Sequence, residues 1–425
     1  MLLPFQFKPK VVRPHEKRIV LENFISLSTL QGLSYILPII VLPYLIRVIG
    51  ADKFGLIAFA QAFVQYFMII TDYGFGISAT KKIALCKDDT GKMNTIFSSV
   101  MSAKFILTIL SFIFFLIIVT SVPKFRNDWW VYILSFGAVT GNTLFPVWFF
   151  QGREKMAYIA SVNIIGGIFY AIGIFVFVKS PHDYLYVPAF NSIFSLSVGL
   201  YALHIAFKKF GLEFIDQGYR DIQRELKTGW NIFISNVAIN AYTTTRVFAV
   251  GLLTNNTITG YYSIAERIAG FTQSFPLGSL SQAFYPRINK IFNQSKKRAL
   301  RIMQRMQHST IITSLISLSI IFAITPLIVK FVTGKYCPES IIVLRLLIIS
   351  ILFVSANTFR VQFLLVYGRF DIYAKLHITA ALIGTPLIFI LVSYYSYLGA
   401  ALSTTIIEAG VFIATFWIIK RIVKS

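Results

Sequence analysis

Apolar residues run along this chain in long blocks, near 24–46, 54–78, 96–120, 129–150, 157–178, 184–207, 229–253, 259–284, 307–330, 341–367, 371–393 and 398–419. Each block reaches the roughly 20 residues that a helix needs to cross about 30 Å of hydrocarbon. The runs are continuous rather than alternating, which excludes barrel strands. A backbone without water must hydrogen-bond to itself, so each block is predicted to be a helix. The predicted fold is all-α: a polytopic membrane protein with about twelve transmembrane helices. Residues 1–22 are polar and basic, and the block behind them is too long for the core of a cleaved signal peptide.

The polar connections set orientation. With the N-terminus in the cytoplasm, twenty-eight of the 40 Lys and Arg fall in inner segments, seven in outer segments and five within spans. That bias predicts an even number of spans and two cytoplasmic termini. Every outer connection is short, Thr254–Ile258 and Tyr394–Tyr397 being little more than turns. The longer inner loops are 208–228 and 285–306. The expected organisation is an N-terminal segment (1–22), a six-helix lobe (23–207), a cytoplasmic linker (208–228), a second six-helix lobe (229–419) and a tail (420–425).

The two halves show a weak internal repeat. At an offset of 205, the run from Gly55 to Gln61 lies over the run from Gly260 to Glu266, and Lys82-Ile83 lies over Arg287-Ile288. Gln151-Gly152-Arg153 and Tyr367-Gly368-Arg369 precede the fifth and eleventh blocks. Matching blocks run the same way through the membrane, which is a parallel repeat about an axis along the membrane normal. Transporters built this way bind substrate between the halves and rock them.

Composition agrees with the pattern: 56% of residues are hydrophobic, 13% are charged, and mean hydropathy is +0.70. A soluble domain of this length needs a larger polar skin. The net charge of +23 raises the question of nucleic acid. However, the charge is concentrated in inner segments, including the run Arg287–Arg305, where lipid headgroups are the natural contact. No nucleic-acid partner is expected. Cys86 and Cys337 fall on opposite sides and read as ordinary small apolar residues. Walker A, GxSxG, HExxH and metal-spaced Cys/His patterns are absent from the sequence. No ATP-driven pump, enzyme, metal site or cofactor is therefore expected.

Charge inside the spans is the sharpest candidate chemistry, because each such residue costs about 2.5–3.5 kcal/mol to insert. Lys104, Arg246, Arg267, Arg345 and Arg360 are accompanied by Asp72, Glu266 and Glu408. The balance is basic and suits an anionic cargo. Depth along the spans predicts two ion pairs, Arg246 with Glu266 and Asp72 with Lys104. Arg345 lies near an outer end and reads as snorkelling. Arg246, Arg267 and Arg360 are candidates to face cargo, with Asn357 one turn from Arg360. The seventh block is unusually polar, and Asn236 and Asn240 share one face with Thr243 and Thr244. That face suits either a wet cavity that binds sugar hydroxyls or hydrogen bonds between packed helices. Glu408, Asp72 and Glu266 are candidates for ion coupling; His377, just inside the eleventh block, reads as an interfacial histidine.

Several stretches carry a family resemblance. Gln31-Gly32-Leu33, Leu42-Pro43-Tyr44-Leu45, Phe54-Gly55-Leu56, Asp72-Tyr73-Gly74-Phe75-Gly76 and Trp148-Phe149-Phe150-Gln151-Gly152 resemble the bacterial polysaccharide transporter family. Tyr262, Ala265-Glu266-Arg267 and Tyr285-Pro286-Arg287 are similar to its second half. This family, which includes O-antigen flippases, belongs to the multidrug/oligosaccharidyl-lipid/polysaccharide exporter superfamily. The resemblance implies a flippase in the bacterial inner membrane. Its cargo would be undecaprenyl-pyrophosphate-linked O-antigen units or another surface polysaccharide, moved from the cytoplasmic to the periplasmic leaflet. It implies ion-coupled alternating access, with membrane lipids, an O-antigen polymerase and a chain-length regulator as partners. It carries over no binding residue. The rival readings are a drug or organic-cation antiporter of the same superfamily, which the basic interior disfavours, and a membrane-embedded polymerase or acyltransferase. A polymerase would want a large outer loop, and an acyltransferase a His-x4-Asp spacing; the sequence has neither.

Overall fold

The computed structural model describes residues 14–424, with side chains from Leu37 onward except at 274–287, 289–290, 293–294, 297, 370 and 423–424. Among these residues there is no strand. The helices are α1 (Pro14–Asp72), α2 (Phe75–Leu85), α3 (Thr90–Ser121), α4 (Pro123–Arg126), α5 (Trp129–Leu144), α6 (Val147–Gly152) and α7 (Met156–Phe177). A 3-10 turn (Pro181–Leu185) leads into α8 (Tyr186–Phe210), α9 (Tyr219–Thr243), α10 (Thr245–Leu253), α11 (Asn256–Gln294), α12 (Lys296–Thr333), α13 (Pro338–Val366) and α14 (Phe370–Lys424).

Eight described helical segments are long and apolar enough to cross a membrane. Two breaks within them fall between expected blocks. α1 is interrupted at Gly50, whose φ of 76° only glycine adopts without strain, and α14 at Ser396, with φ 54°. Three breaks depart from the expected blocks. The second block ends at Asp72, Tyr73 and Gly74 take positive φ, and α2 starts anew. The fourth stops at Leu144, before Pro146, and resumes as α6. The seventh is divided at Thr244 into α9 and α10. Two expected inner loops are also largely helical. Of 208–228, only 211–218 lies outside helices, and 285–306 is interrupted only at Ser295. The expected segment 1–22 lies outside the described residues up to 13, and α1 already begins at Pro14.

Side-chain burial divides α3 and α12 into a core face and an exposed apolar face. On α3, Phe97, Val100, Met101 and Phe115 are buried, whereas Ile106, Ile109, Leu110 and Ile113 are exposed. On α12 the exposed set is Ile312, Leu315, Ile316, Ile320 and Leu327. Apolar surface on this scale belongs against lipid rather than water. Trp129 and Trp130 stack on each other at the start of α5, the depth at which indoles sit at a membrane interface. Outside the spans, the Asp89 carboxylate caps α3 by accepting from the Lys92 N–H at 3.0 Å, and that bond holds the carboxyl below its usual range.

Small residues set the closest approaches. A Cβ at Gly141 of α5 would lie 2.4 Å from the Ser195 backbone of α8, and Gly137 rests on Ser192. Between the halves, α1 crosses α11 by direct backbone contact. A Cβ at Gly55 would lie 1.9 Å from Asn256 O, and one at Gly260 would lie 2.0 Å from Ala51 O. Beside the crossing, Thr257 Oγ1 donates to Asp52 Oδ1 at 3.1 Å. Ala51 and Asn256, Asp52 and Thr257, and Gly55 and Gly260 are each 205 residues apart. Other ties gather at this end: Lys124 Nζ donates to Leu252 O and Thr254 O at 3.2 and 2.5 Å, and Arg47 donates to Phe331 O.

Candidate functional site

Beyond the Gly55–Gly260 crossing, the second half of α1 and the α10–α11 pair enclose a cleft of about 340 Å3. It is lined by Gln61, Gln65, Thr243, Thr244, Glu266 and Arg267, among others. The polar face read from the sequence thus reaches the cleft through Thr243 and Thr244, at the helix break that parts α9 from α10. Asn240 instead donates to Asn236 O within α9 at 2.8 Å, and Asn236 faces a separate chamber.

The structure brings Arg246 and Glu266 together at 3.7 Å. Arg246 also donates to Thr243 O at 3.0 Å and to Thr404 Oγ1 at 3.3 Å, and it lies in the field of Glu408. Its charge is therefore largely spent inside the C-terminal half. Arg267 is different. Among the described residues its hydrogen bond goes to a neutral group, Gln61 Oε1, at 2.5 Å, and its guanidinium stacks over Phe54. Glu266 is ion-paired with Arg246, which leaves Arg267 as the guanidinium in the cleft lining without a carboxylate salt bridge among the described residues.

Arg267 and Gln61 also line a second chamber of about 270 Å3 on the N-terminal side. Leu42, Phe54, Ile57 and Phe271 make that chamber mainly apolar, with Asn163 and Asn191 as its amides. One cation thus stands between a polar cleft and an oily pocket.

Lys104 Nζ lies 3.1 Å from Asp72 Oδ1, with the ammonium buried and the carboxylate half exposed. Two expected cargo contacts lie elsewhere. Arg360 stacks its guanidinium over Phe412 and Phe416 of α14, at 4.3 and 5.2 Å. Asn357 is buried and accepts from Thr415 Oγ1 at 2.5 Å, tying α13 to α14. Neither is in the lining of the cleft; Asn357 is committed to that tie, whereas Arg360 keeps Nη1 buried without a hydrogen bond. Arg345 lies over Phe322. His377 accepts from, or donates to, Tyr242 Oη at 3.0 Å, which ties α14 to α9. Gln61 and Gln65 escaped the sequence reading because single amides inside an apolar run carry no charge signal; their offset from Glu266 and Gly270 could have found them. Among the described residues no group of His, Cys, Asp and Glu is arranged to hold a metal.

Residues 20–292 match the family model described as "Polysaccharide biosynthesis protein". This chain belongs to that family. A relative from Escherichia coli strain K12, named "Putative O-antigen transporter", is 30% identical over 90% of this chain and 92% of its own length. One from Shigella dysenteriae with the same name is 25% identical over 91% and 96%. Among solved structures, "Lipid II flippase MurJ, inward closed conformation" superposes with TM-score 0.72 at 14% identity, covering 92% of this chain and 87% of that one. An inward-facing multidrug resistance MATE family transporter of the MOP superfamily superposes with TM-score 0.70 at 13% identity, covering 93% and 96%. The family member described here therefore has the fold that those transporters share, and its named relatives are transporters rather than enzymes.

Proposed function

We propose that this protein is a flippase for lipid-linked polysaccharide units, moving an undecaprenyl-pyrophosphate-linked oligosaccharide across the bacterial inner membrane. The observation that carries the reading is the placement of Arg267. A cation between a polar cleft and an apolar chamber matches an amphiphile with an anionic junction. The pyrophosphate would meet Arg267 and Gln61, the sugars would occupy the cleft by Thr243 and Thr244, and the isoprenoid would begin in the chamber. The two relatives named for O-antigen transport support this reading.

The proposal includes twelve crossings in two six-helix halves, with both termini cytoplasmic, and alternating access by rocking the halves. The contacts between residues 205 apart support a twofold relation between the halves. Glu408, near Arg246 in the second half, is the group proposed to couple transport to a cation.

The test is translocation of a lipid-pyrophosphate-linked oligosaccharide in sealed vesicles, comparing wild type with Arg267→Ala at matched insertion. The expected loss is tenfold or more, the scale of one charge-assisted contact. If wild type moves no glycolipid but exports organic cations, the antiporter reading replaces this one. If Arg267→Ala transports at the wild-type rate, the anion contact lies elsewhere.

A further inference from the structure

A separate polar chamber of about 300 Å3 lies at the inner end of the N-terminal half, between the break joining α1 to α2 and the break joining α5 to α6. Its walls include Asp72, Gly76, Asn142, Trp148 and Gln151, and Asn236 of α9 closes it from the C-terminal half. We infer that this chamber is a binding subsite for a neutral sugar ring, placed to read the sugar nearest the lipid carrier; the inference rests on the flippase reading.

The chamber wall holds an unmet donor. Trp148 is 2% exposed, its ring packed 5.6 Å from Phe97, and its Nε1–H is buried with no partner. A buried donor in that state is costly unless a ligand or water takes its hydrogen. The acceptor side is equally specific. Asp72 Oδ1 accepts from Lys104 Nζ at 3.1 Å and from Asn142 Nδ2 at 2.9 Å. Among the described residues Oδ2 accepts no hydrogen bond. The pair is turned so that the carboxylate, 52% exposed, faces the opening while the ammonium, 3% exposed, stays in the wall.

The chamber therefore offers an acceptor from Asp72 and amides from Gln151 and Asn236 that both donate and accept, with the Trp148 ring in its wall. Sugar hydroxyls donate and accept at once and match this mixture. A phosphate does not match, because it would meet the exposed Asp72 carboxylate while the nearest cation is already engaged. A free cation is disfavoured in turn by the start of α2, whose first N–H groups carry the positive end of the helix dipole. At about 300 Å3 the volume is at the small end of ligand pockets and suits one or two rings rather than a lipid chain.

The test uses the full chain in nanodiscs labelled with 5-fluorotryptophan, the Trp148 resonance being assigned by Trp148→Phe. N-acetylglucosamine, galactose, sodium pyrophosphate and sodium chloride are titrated separately, and thermal unfolding verifies each variant. The expected result is a saturable shift of the Trp148 resonance with at least one sugar and none with pyrophosphate or sodium. Asn236→Ala should weaken it about fivefold, the effect of one hydrogen bond. Gly76→Leu, at a position where a Cβ meets nothing within 4 Å, should abolish it by filling the space. A response to pyrophosphate or to sodium alone, or none to either sugar, overturns the inference. Glycolipid translocation in vesicles separates the two readings. Transport at the wild-type rate by Asn236→Ala and Gly76→Leu, with a silent Trp148, removes the subsite and leaves the flippase. Sugar binding at Trp148 without glycolipid transport by wild type removes the flippase and leaves a sugar site.

Discussion

Lys104 and Asp72 show how one buried charge constrains its neighbours. The ammonium is nearly inaccessible, so it depends on the carboxylate and on Asn142 O at 3.3 Å. Replacing Asp72 by Asn should leave that charge underpaired. Losing one partner of a fully buried pair costs about 3–5 kcal/mol; because the carboxylate is half exposed, about 1–2 kcal/mol is expected here. The double variant Asp72→Asn/Lys104→Met should recover most of it in detergent melting curves, and failure of that rescue would mean the pair is not what fixes this region. Residue-scale reading of the sequence went furthest where depth alone decides a partner, as for Arg246 with Glu266. It fell short where a partner comes from a helix whose rotation is unknown. Nothing in the spacing of Arg360 shows that Phe412 and Phe416 will lie under its guanidinium. Trp148 was legible as part of the family resemblance but not as an unmet donor, since its unpartnered Nε1 is a property of the packed state.

Among the elements, the apolar blocks predicted helices, but not where they stop. Hydropathy is blind to a backbone break inside a continuous run, which is why the Tyr73–Gly74 and Phe145–Pro146 interruptions were missed. The signals present were local: a glycine between two aromatics and a proline after Phe145, whose ring disfavours helix at the residue before it. The turn at Ser396 was legible because polar residues gather there. The small residues Gly137 and Gly141 of α5 find their partner in α8. Adding branched side chains at that contact should push the helices apart. Gly141→Val is expected to destabilise by about 1–3 kcal/mol, as overpacking does. The check is a shift in unfolding midpoint compared with Gly270→Val, where a Cβ meets nothing within 4 Å. Equal shifts would show that the α5–α8 contact tolerates separation.

The halves meet most closely where α1 crosses α11. Under the rocking reading, this end must part before cargo leaves on that side. Cysteines at Asp52 and Thr257, whose side chains already touch, should form a disulfide under mild oxidation in a chain lacking Cys86 and Cys337. Oxidation is expected to stop glycolipid translocation and reduction to restore it. Undiminished transport by the oxidised protein would exclude opening at this crossing. The 205-residue offset was visible in the sequence as a weak alignment. That the aligned residues would also be each other's neighbours was not, because a repeat specifies two similar objects and not the axis between them.

The Gly55–Gly260 crossing has a further consequence. Backbone rests on backbone there, without side chains that could yield, swing aside or settle part-way. A joint with no clearance has two positions, seated and unseated, and few between. Membranes that hold a voltage are intolerant of leaks, and a soft seam of long side chains would seep whenever it fluctuated. Under the rocking reading, a zero-clearance seam would close completely or part outright, with no leaking position between.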